Sequence, residues 1–208
     1  MILKEGRRHG ETNWDGCDGF TRIEREASVL RALSKVGVGV PEIVRQFSYE
    51  GNRYLVLKKL SGKPLLRNEL VQPQLPSVRR AAQLLAQLDP VLAAIHMAGW
   101  VWRDCKPQHI LVSGANVQLI DFEGACRIDA EGILPWGSPD YMPPAYRKPF
   151  AFRKAGTLED DYALGVIAFQ FLAGDFPSLR GRERARVYRR TACPDALRDR
   201  IEGLLALD

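Results

Sequence analysis

The chain has 208 residues, 46% hydrophobic and 26% charged, the balance of an ordinary globular protein with material for one large core or two small ones. No apolar run approaches the ~20 residues that cross a bilayer, and Met1-Ile2-Leu3-Lys4-Glu5-Gly6 lacks the apolar stretch of a signal peptide. The net charge of +5 is modest, and Cys17, Cys105, Cys126 and Cys193 show neither C-x-x-C pairing nor zinc spacing, so reduced thiols in a cytoplasmic protein are expected, with no membrane partner.

In chain order, Thr21 to Leu33 reads as an amphipathic helix, with Ile23, Ala27, Leu30 and Leu33 at helical spacing. Tyr54-Leu55-Val56-Leu57 is a short apolar strand after the turn Glu50-Gly51-Asn52. Ser77 to Met97 carries a long apolar stripe, and Asp89-Pro90 within it predicts a kink or a register change. Tyr162 to Leu172 is apolar nearly all round and predicts a buried helix, and Asp195 to Leu207 a final amphipathic one. The basic run from Arg180 to Arg186, with Arg189 and Arg190, reads first as a solvated helix face and second as a nucleic-acid or acidic-peptide surface. No nucleic-acid partner is expected, and nothing in the chain sets an oligomeric state.

Between these helices lies the segment that carries chemistry. Trp102-Arg103-Asp104-Cys105-Lys106-Pro107-Gln108-His109 is followed, 17 residues after Asp104, by Asp121-Phe122-Glu123-Gly124. Ile110 to Val112 and Val117 to Ile120 read as strands joined by the turn Ser113-Gly114-Ala115-Asn116. A hairpin of that length holds Asp104 and Asp121 at the same end, where one can meet a hydroxyl and the other a metal ion on phosphates.

These two motifs resemble the catalytic loop H-R-D-x-K-P-x-N and the metal-binding D-F-G of the protein kinase superfamily. Trp136 to Pro144 resembles the family's G-T-x-x-Y-x-A-P-E segment, and Asp161-Tyr162-Ala163-Leu164-Gly165 its D-x-W-S-x-G helix. W-R-D-x-K-P with I-D-F-E-x-A is similar to the kinase domains of class III and IV lanthipeptide synthetases and of related bacterial serine/threonine kinases. The resemblance covers nearly the whole chain and implies an α+β, two-lobed fold. Residues 1–60 would be a partial, β-rich N-lobe ending at a hinge near Lys58 to Gly62, and residues 61–208 a larger helical C-lobe.

The resemblance also implies roles. Asp104 would orient the acceptor hydroxyl, and Lys106 would face the transferred phosphoryl group. Lys4, held by Glu26 in preference to Glu24, would neutralise ATP phosphates, unless it is only a frayed terminal residue. Asp121 and His109 would hold Mg²⁺, with Mn²⁺ as the alternative. Backbone groups of Lys58 and Leu60 would bond the adenine edge, with Leu111 beneath it and Leu57 as gatekeeper. Leu30, Trp102 and Phe122 would form a column between the lobes, and Asp161 would bond the catalytic-loop backbone.

Five departures stand against the pattern: no Gly-rich loop precedes Lys4, so the chain reads either as a fragment or as one that would hold ATP without its usual lid; His109 replaces an asparagine; Glu123 replaces a glycine; Trp102 replaces a histidine; and Ala145 stands where a glutamate belongs. His109 either ligates a metal, bonds Asp104, or leaves one metal position weak, and Glu123 either joins the metal or faces solvent. Ala125 to Trp136 holds no Ser, Thr or Tyr. Arg103 is therefore expected to meet Asp129 or Glu131 in place of a phosphate. The implied function is ATP-dependent phosphorylation of Ser or Thr in a protein or peptide. The alternatives are a pseudokinase scaffold and a small-molecule sugar kinase.

Overall fold

The computed structural model describes residues 1–8, 12, 16–65, 77–114, 116–148 and 153–206. Ala115 of the expected turn and Leu207 of the expected last helix lie outside them. The α+β, two-lobed arrangement expected from the sequence is the one observed: a small antiparallel sheet with one helix, then a larger, mainly helical part.

The first sheet joins β1 (Ile2–Gly6), β3 (Asn52–Leu57) and β2 (Ile43–Tyr49) in the order β1-β3-β2, with Lys4 opposite Leu55. Helix α1 (Gly19–Lys35) begins at Asp18, whose Oδ1 accepts the Thr21 N–H at 2.8 Å. Its buried stripe is Ile23, Ala27, Leu30 and Leu33, and it includes one charged residue, Glu26. Strand β1 meets the start of α1 at two glycines, where a Cβ on Gly6 would stand 2.2 Å from the Gly19 carbonyl oxygen. Only a residue without a side chain lets β1 come this close, which brings Lys4 over Glu26.

Beyond β4 (Lys63–Pro64), helix α2 (Val78–Met97) is capped by Ser77, whose Oγ accepts the Arg80 N–H at 3.2 Å. Pro90 does not interrupt it, and Ala81, Leu84, Leu85, Leu88, Leu92 and Ile95 form one buried stripe through the proline. The short pair β5 (Trp100–Val101) and β8 (Cys126–Arg127) brackets the hairpin β6 (Ile110–Ser113) and β7 (Asn116–Leu119). Helix α3 (Leu158–Ala173) is buried on nearly every side, as its all-round apolar sequence requires, and α4 (Gly181–Arg190) and α5 (Asp195–Leu204) follow it.

One buried carboxylate fixes the loop before the hairpin. Asp160, with no exposed surface, accepts the Trp102 N–H at 2.8 Å and the Arg103 N–H at 2.7 Å, and its Oδ2 lies 2.9 Å from His96 Nε2. The sequence assigned this bond to Asp161; the structure corrects it to Asp160. The reason is register: counting back five residues from Gly165, the full D-x-Y-A-x-G pattern begins at Asp160, and one helical step turns Asp161 about 100° away from the loop.

Asp160→Ala strands two buried N–H groups, so it should lower stability by roughly 3 kcal/mol or more in urea unfolding, whereas Asp161→Ala should cost far less. The His96 imidazole is desolvated, yet its bond to Asp160 and that carboxylate's charge raise its pKa above 6.5. Its stabilising contribution is therefore complete below the unfolded value and is lost as pH rises through the folded one. The stability gap between wild type and His96→Gln should shrink as pH rises above 6.5, which thermal melts on both sides of that value will measure.

Candidate active site

Lys4 is the first anchor. Its Nζ donates to both Glu26 oxygens at 2.9 and 2.8 Å, to Asp121 Oδ1 at 3.3 Å and to Glu123 Oε1 at 3.0 Å. Lys4 is therefore a built part of the cleft and no frayed end, and Glu26 is its partner; Glu24 pairs instead with Arg53. Glu26 Oε1 also accepts the Phe122 N–H at 3.3 Å, tying α1 to the segment after β7.

The second anchor is the loop after β5. Arg103 and Asp121 both adopt left-handed backbone, at φ 72° and 66°, a conformation costly for residues with a Cβ and one that recurs at functional sites. Lys106 Nζ donates to Asp104 Oδ2 at 2.9 Å and to Ser138 Oγ at 3.2 Å. Across the hairpin, His109 Nδ1 lies 3.1 Å from the Asp104 carbonyl oxygen, and His109 Nε2 lies 3.3 Å from Asp121 Oδ2. The hairpin thus delivers Asp104, His109 and Asp121 to one point, each with a ligand atom within 4.8 Å of the others'.

Trp102, which stands where the resemblance expects histidine, donates its indole N–H to the Asp121 carbonyl at 2.9 Å. Its ring stacks on Phe122 with centroids 5.5 Å apart, and Leu30, Trp102 and Phe122 are all fully buried in one core. The substitution keeps both a hydrogen-bond donor and a flat apolar ring.

The charges do not balance. Among the described residues, the carboxylates of Glu26, Asp104, Asp121 and Glu123 meet two ammonium groups, those of Lys4 and Lys106, and the imidazole of His109. Burial alone would lower the pKa of Lys4, but the surrounding carboxylates hold it protonated, with its pKa well above the usual lysine range. Burial, helped by Asp121 and Glu123, pushes Glu26 up against the pull of Lys4. Burial also drives His109 below its usual value despite Asp104 and Asp121, which favours the neutral ring with one N–H. Both ring nitrogens face oxygen acceptors, so one nitrogen lone pair looks at a carbonyl or carboxylate oxygen. Asp104 Oδ1 is buried and has no hydrogen-bond partner among the described residues. Two carboxylates and an imidazole grouped in this way could hold a cation.

On the other wall, Leu111 is half-buried and touches the chain after β3, since a Cβ on Gly62 would lie 3.4 Å from it. The Lys58 N–H is bonded to the Glu42 carbonyl at 2.9 Å, so at that residue the backbone offers a ligand only its carbonyl. Leu60 follows on the same extended stretch, half-buried, and Leu57 is buried.

Ser138, Gly137 and Glu159 belong to this region and were not singled out from the sequence. Gly137, at φ 109°, lies on the catalytic loop so closely that a Cβ would sit 2.5 Å from the Arg103 carbonyl oxygen. Arg103 does not meet Asp129 or Glu131, which corrects that expectation. Its Nε donates to Glu159 at 3.1 Å, and its other nitrogens donate to the carbonyls of Gly124 and Leu134. Glu159 is buried and also pairs with Arg153, while Asp129 pairs at the surface with Lys154. A buried guanidinium needs a buried carboxylate, and α3 supplies one residue before Asp160 what the loop cannot.

Glu159→Ala should therefore cost roughly 3–5 kcal/mol in chemical unfolding, because it leaves buried arginine charge uncompensated. Asp129→Ala combined with Glu131→Ala should cost far less, about 1 kcal/mol, because Asp129 is exposed and what it loses is its surface pair and the ease with which aspartate takes its left-handed backbone.

Comparison with known proteins agrees with this geometry. The family model described as "Protein kinase domain" matches residues 2–198. The chain is 30% identical over 180 residues to "Probable SapB synthase" of Streptomyces coelicolor, covering 80% of this chain and 18% of that protein. It is 31% identical over 171 residues to "Serine/threonine-protein kinase pkn2" of Myxococcus xanthus, covering 75% and 19% respectively. It is also 31% identical over 178 residues to "Calcium/calmodulin-dependent protein kinase type II" of Caenorhabditis elegans, covering 81% and 23%. The matched region thus spans less than a quarter of each of these relatives. With the lysine–glutamate pair, the two hairpin aspartates and the loop-pinning carboxylate all in place, the chain belongs to the protein kinase domain family.

Proposed function

We propose that the chain transfers the γ-phosphoryl group of ATP to a serine or threonine hydroxyl of a protein or peptide. The nucleotide would lie between residues 1–60 and 61–208. The observation that carries this reading is the convergence of Asp104, His109 and Asp121 within 4.8 Å beside the Lys4–Glu26 ion pair. The name of the Myxococcus relative, a serine/threonine-protein kinase, supports the acceptor class.

The donor set fits a hard divalent cation, Mg²⁺, with the imidazole making Mn²⁺ a good alternative. Asp121 and His109 would hold it, and with ATP it would supply charge neutralisation at the phosphate oxygens. Lys4 presents an ammonium group to the phosphates, aimed by its bidentate partner Glu26. Lys58, Leu60 and Leu111 would frame the adenine. Asp104 receives the acceptor hydroxyl's proton at Oδ1, the oxygen without a partner, while Oδ2 is held by Lys106. Lys106, fixed between Asp104 and Ser138, sets positive charge beside the group in flight.

Two alternatives to this acceptor and activity are weighed by particular contacts. A scaffold without transfer has no need for a lysine gripped on both oxygens of a buried glutamate, nor for two strained backbone residues at the aspartates. A sugar acceptor has no use for the segment after Trp136, which docks through Ser138 onto Lys106 and through Tyr141 onto Phe176, ring to ring at 5.6 Å. That segment makes a wall suited to an extended peptide.

Phosphoryl transfer from γ-labelled ATP should be seen with Ser- or Thr-containing peptides and not with sugars, and Asp104→Asn should lower it roughly 10²–10⁴-fold. Transfer unchanged by Asp104→Asn, or confined to sugars, contradicts the reading. His109→Asn exchanges an imidazole for an amide oxygen, and the ratio of Mg²⁺- to Mn²⁺-supported rate should rise.

A further inference from the structure

Helix α4 carries charge that the proposed reaction does not use. Taken at 3.6 residues per turn, Arg182, Arg186, Arg189 and Arg190 fall within an arc of about 100°, and all four are exposed. The opposite side holds Arg184 and Tyr188, both turned inward onto Glu202: Arg184 bonds its two oxygens at 2.7 and 2.6 Å, and the Tyr188 hydroxyl donates at 2.7 Å. Arg184 is thus consumed in fixing the helix to α5. Among the described residues, none of the four outer arginines makes an ion pair. Glu183, at the edge of the arc, is engaged by Arg180 and Ser178. Four guanidinium groups on one face repel one another, and an anionic partner relieves that repulsion.

The turn before α4 links this helix to the proposed transfer site. Arg184 donates to the Ser178 carbonyl at 2.8 Å, holding the turn before α4 against the helix. That turn exposes two large apolar side chains, Phe176 at 41% and Leu179 at 64%. Phe176 touches Tyr141, which lies three residues beyond Ser138, the partner of Lys106. The apolar turn thus lies between the start of α4, which carries the arginines, and the segment that carries Ser138.

We infer that this surface docks an acidic segment of the acceptor polypeptide, with its carboxylates on Arg182, Arg186, Arg189 and Arg190 and an apolar residue on Phe176 and Leu179. A nucleic acid would use the arginines but not the apolar turn, and the arc, about 12 Å along the helix, is too short to follow a phosphate backbone far. The inference rests on the proposed transfer to a peptide for its purpose, though not for its binding.

Binding is therefore read without nucleotide, by fluorescence anisotropy on the 208-residue chain. Three probes are used: a labelled Ser-containing peptide rich in Asp, Glu and Leu, its Gln- and Lys-rich counterpart, and a single-stranded DNA oligonucleotide. The acidic peptide should bind best, more weakly at high salt. Reversal of the exposed arginines (Arg182→Glu, Arg186→Glu, Arg189→Glu) should weaken it about tenfold or more. Phe176→Ser with Leu179→Ser should weaken it independently, with unchanged melting temperatures showing that both variants fold. Equal affinity for the acidic and basic peptides, or no loss on charge reversal, overturns the inference, and tighter binding of the DNA overturns its choice of partner. Because no transfer is measured, an inactive chain that binds the acidic peptide contradicts only the proposed reaction, and an active chain that does not bind it contradicts only the docking surface.

Discussion

Four carboxylates are forced into one cleft with two ammonium groups to answer them, and the rest of the structure is arranged to hold that imbalance. Like charges this close repel, and the ammonium groups of Lys4 and Lys106 offset only part of that repulsion among Asp104, Asp121, Glu123 and Glu26. What keeps them is architecture. Gly6 on Gly19 lays β1 against α1 and sets Lys4 on Glu26; the hairpin β6–β7 returns Asp121 to Asp104; Asp160 clamps the loop from below through two backbone amides. Each device fixes backbone, and the charged side chains follow.

The departures from the family pattern fall into place in this frame. Trp102 keeps a donor to the Asp121 carbonyl while filling the core with a larger ring. His109, kept neutral by burial, offers a lone pair where an amide oxygen is the rule. Glu123 is only partly exposed and is not idle: its Oε1 accepts from Lys4 Nζ at 3.0 Å, beside the oxygens of Glu26 and Asp121. Arg103, with no phosphorylatable residue from Ala125 to Trp136, is satisfied by Glu159 and two carbonyls, so this region is held by fixed internal charge.

Much of this was legible in the sequence because the informative residues are close together and their spacing is rigid. A four-residue strand, a tight turn and a second strand leave little choice about where Asp104 and Asp121 meet, and Leu30 at four residues from Glu26 identified the lysine's partner. What escaped notice depends on contacts between distant segments. Glu159 finds Arg103 across 56 positions, and no local pattern marks it. Asp160 and Asp161 are adjacent carboxylates that differ only in which side of α3 they occupy, so a slip of one residue in reading the motif exchanged a buried anchor for an outer residue. Asp89-Pro90 pointed on local grounds to a kink or a register change, and the buried stripe of α2 continues through it.

The central claim is that this excess of negative charge is a cation-dependent nucleotide site. The most direct measurement is the melting temperature of the chain titrated with ATP, with Mg²⁺ or Mn²⁺ and with chelator, alongside Asp121→Asn. A ligand confined to the folded state raises stability with its saturation. A rise that needs both nucleotide and metal, and that Asp121→Asn abolishes, is the predicted result. No rise with either metal, or the same rise in chelator and in Asp121→Asn, would contradict it.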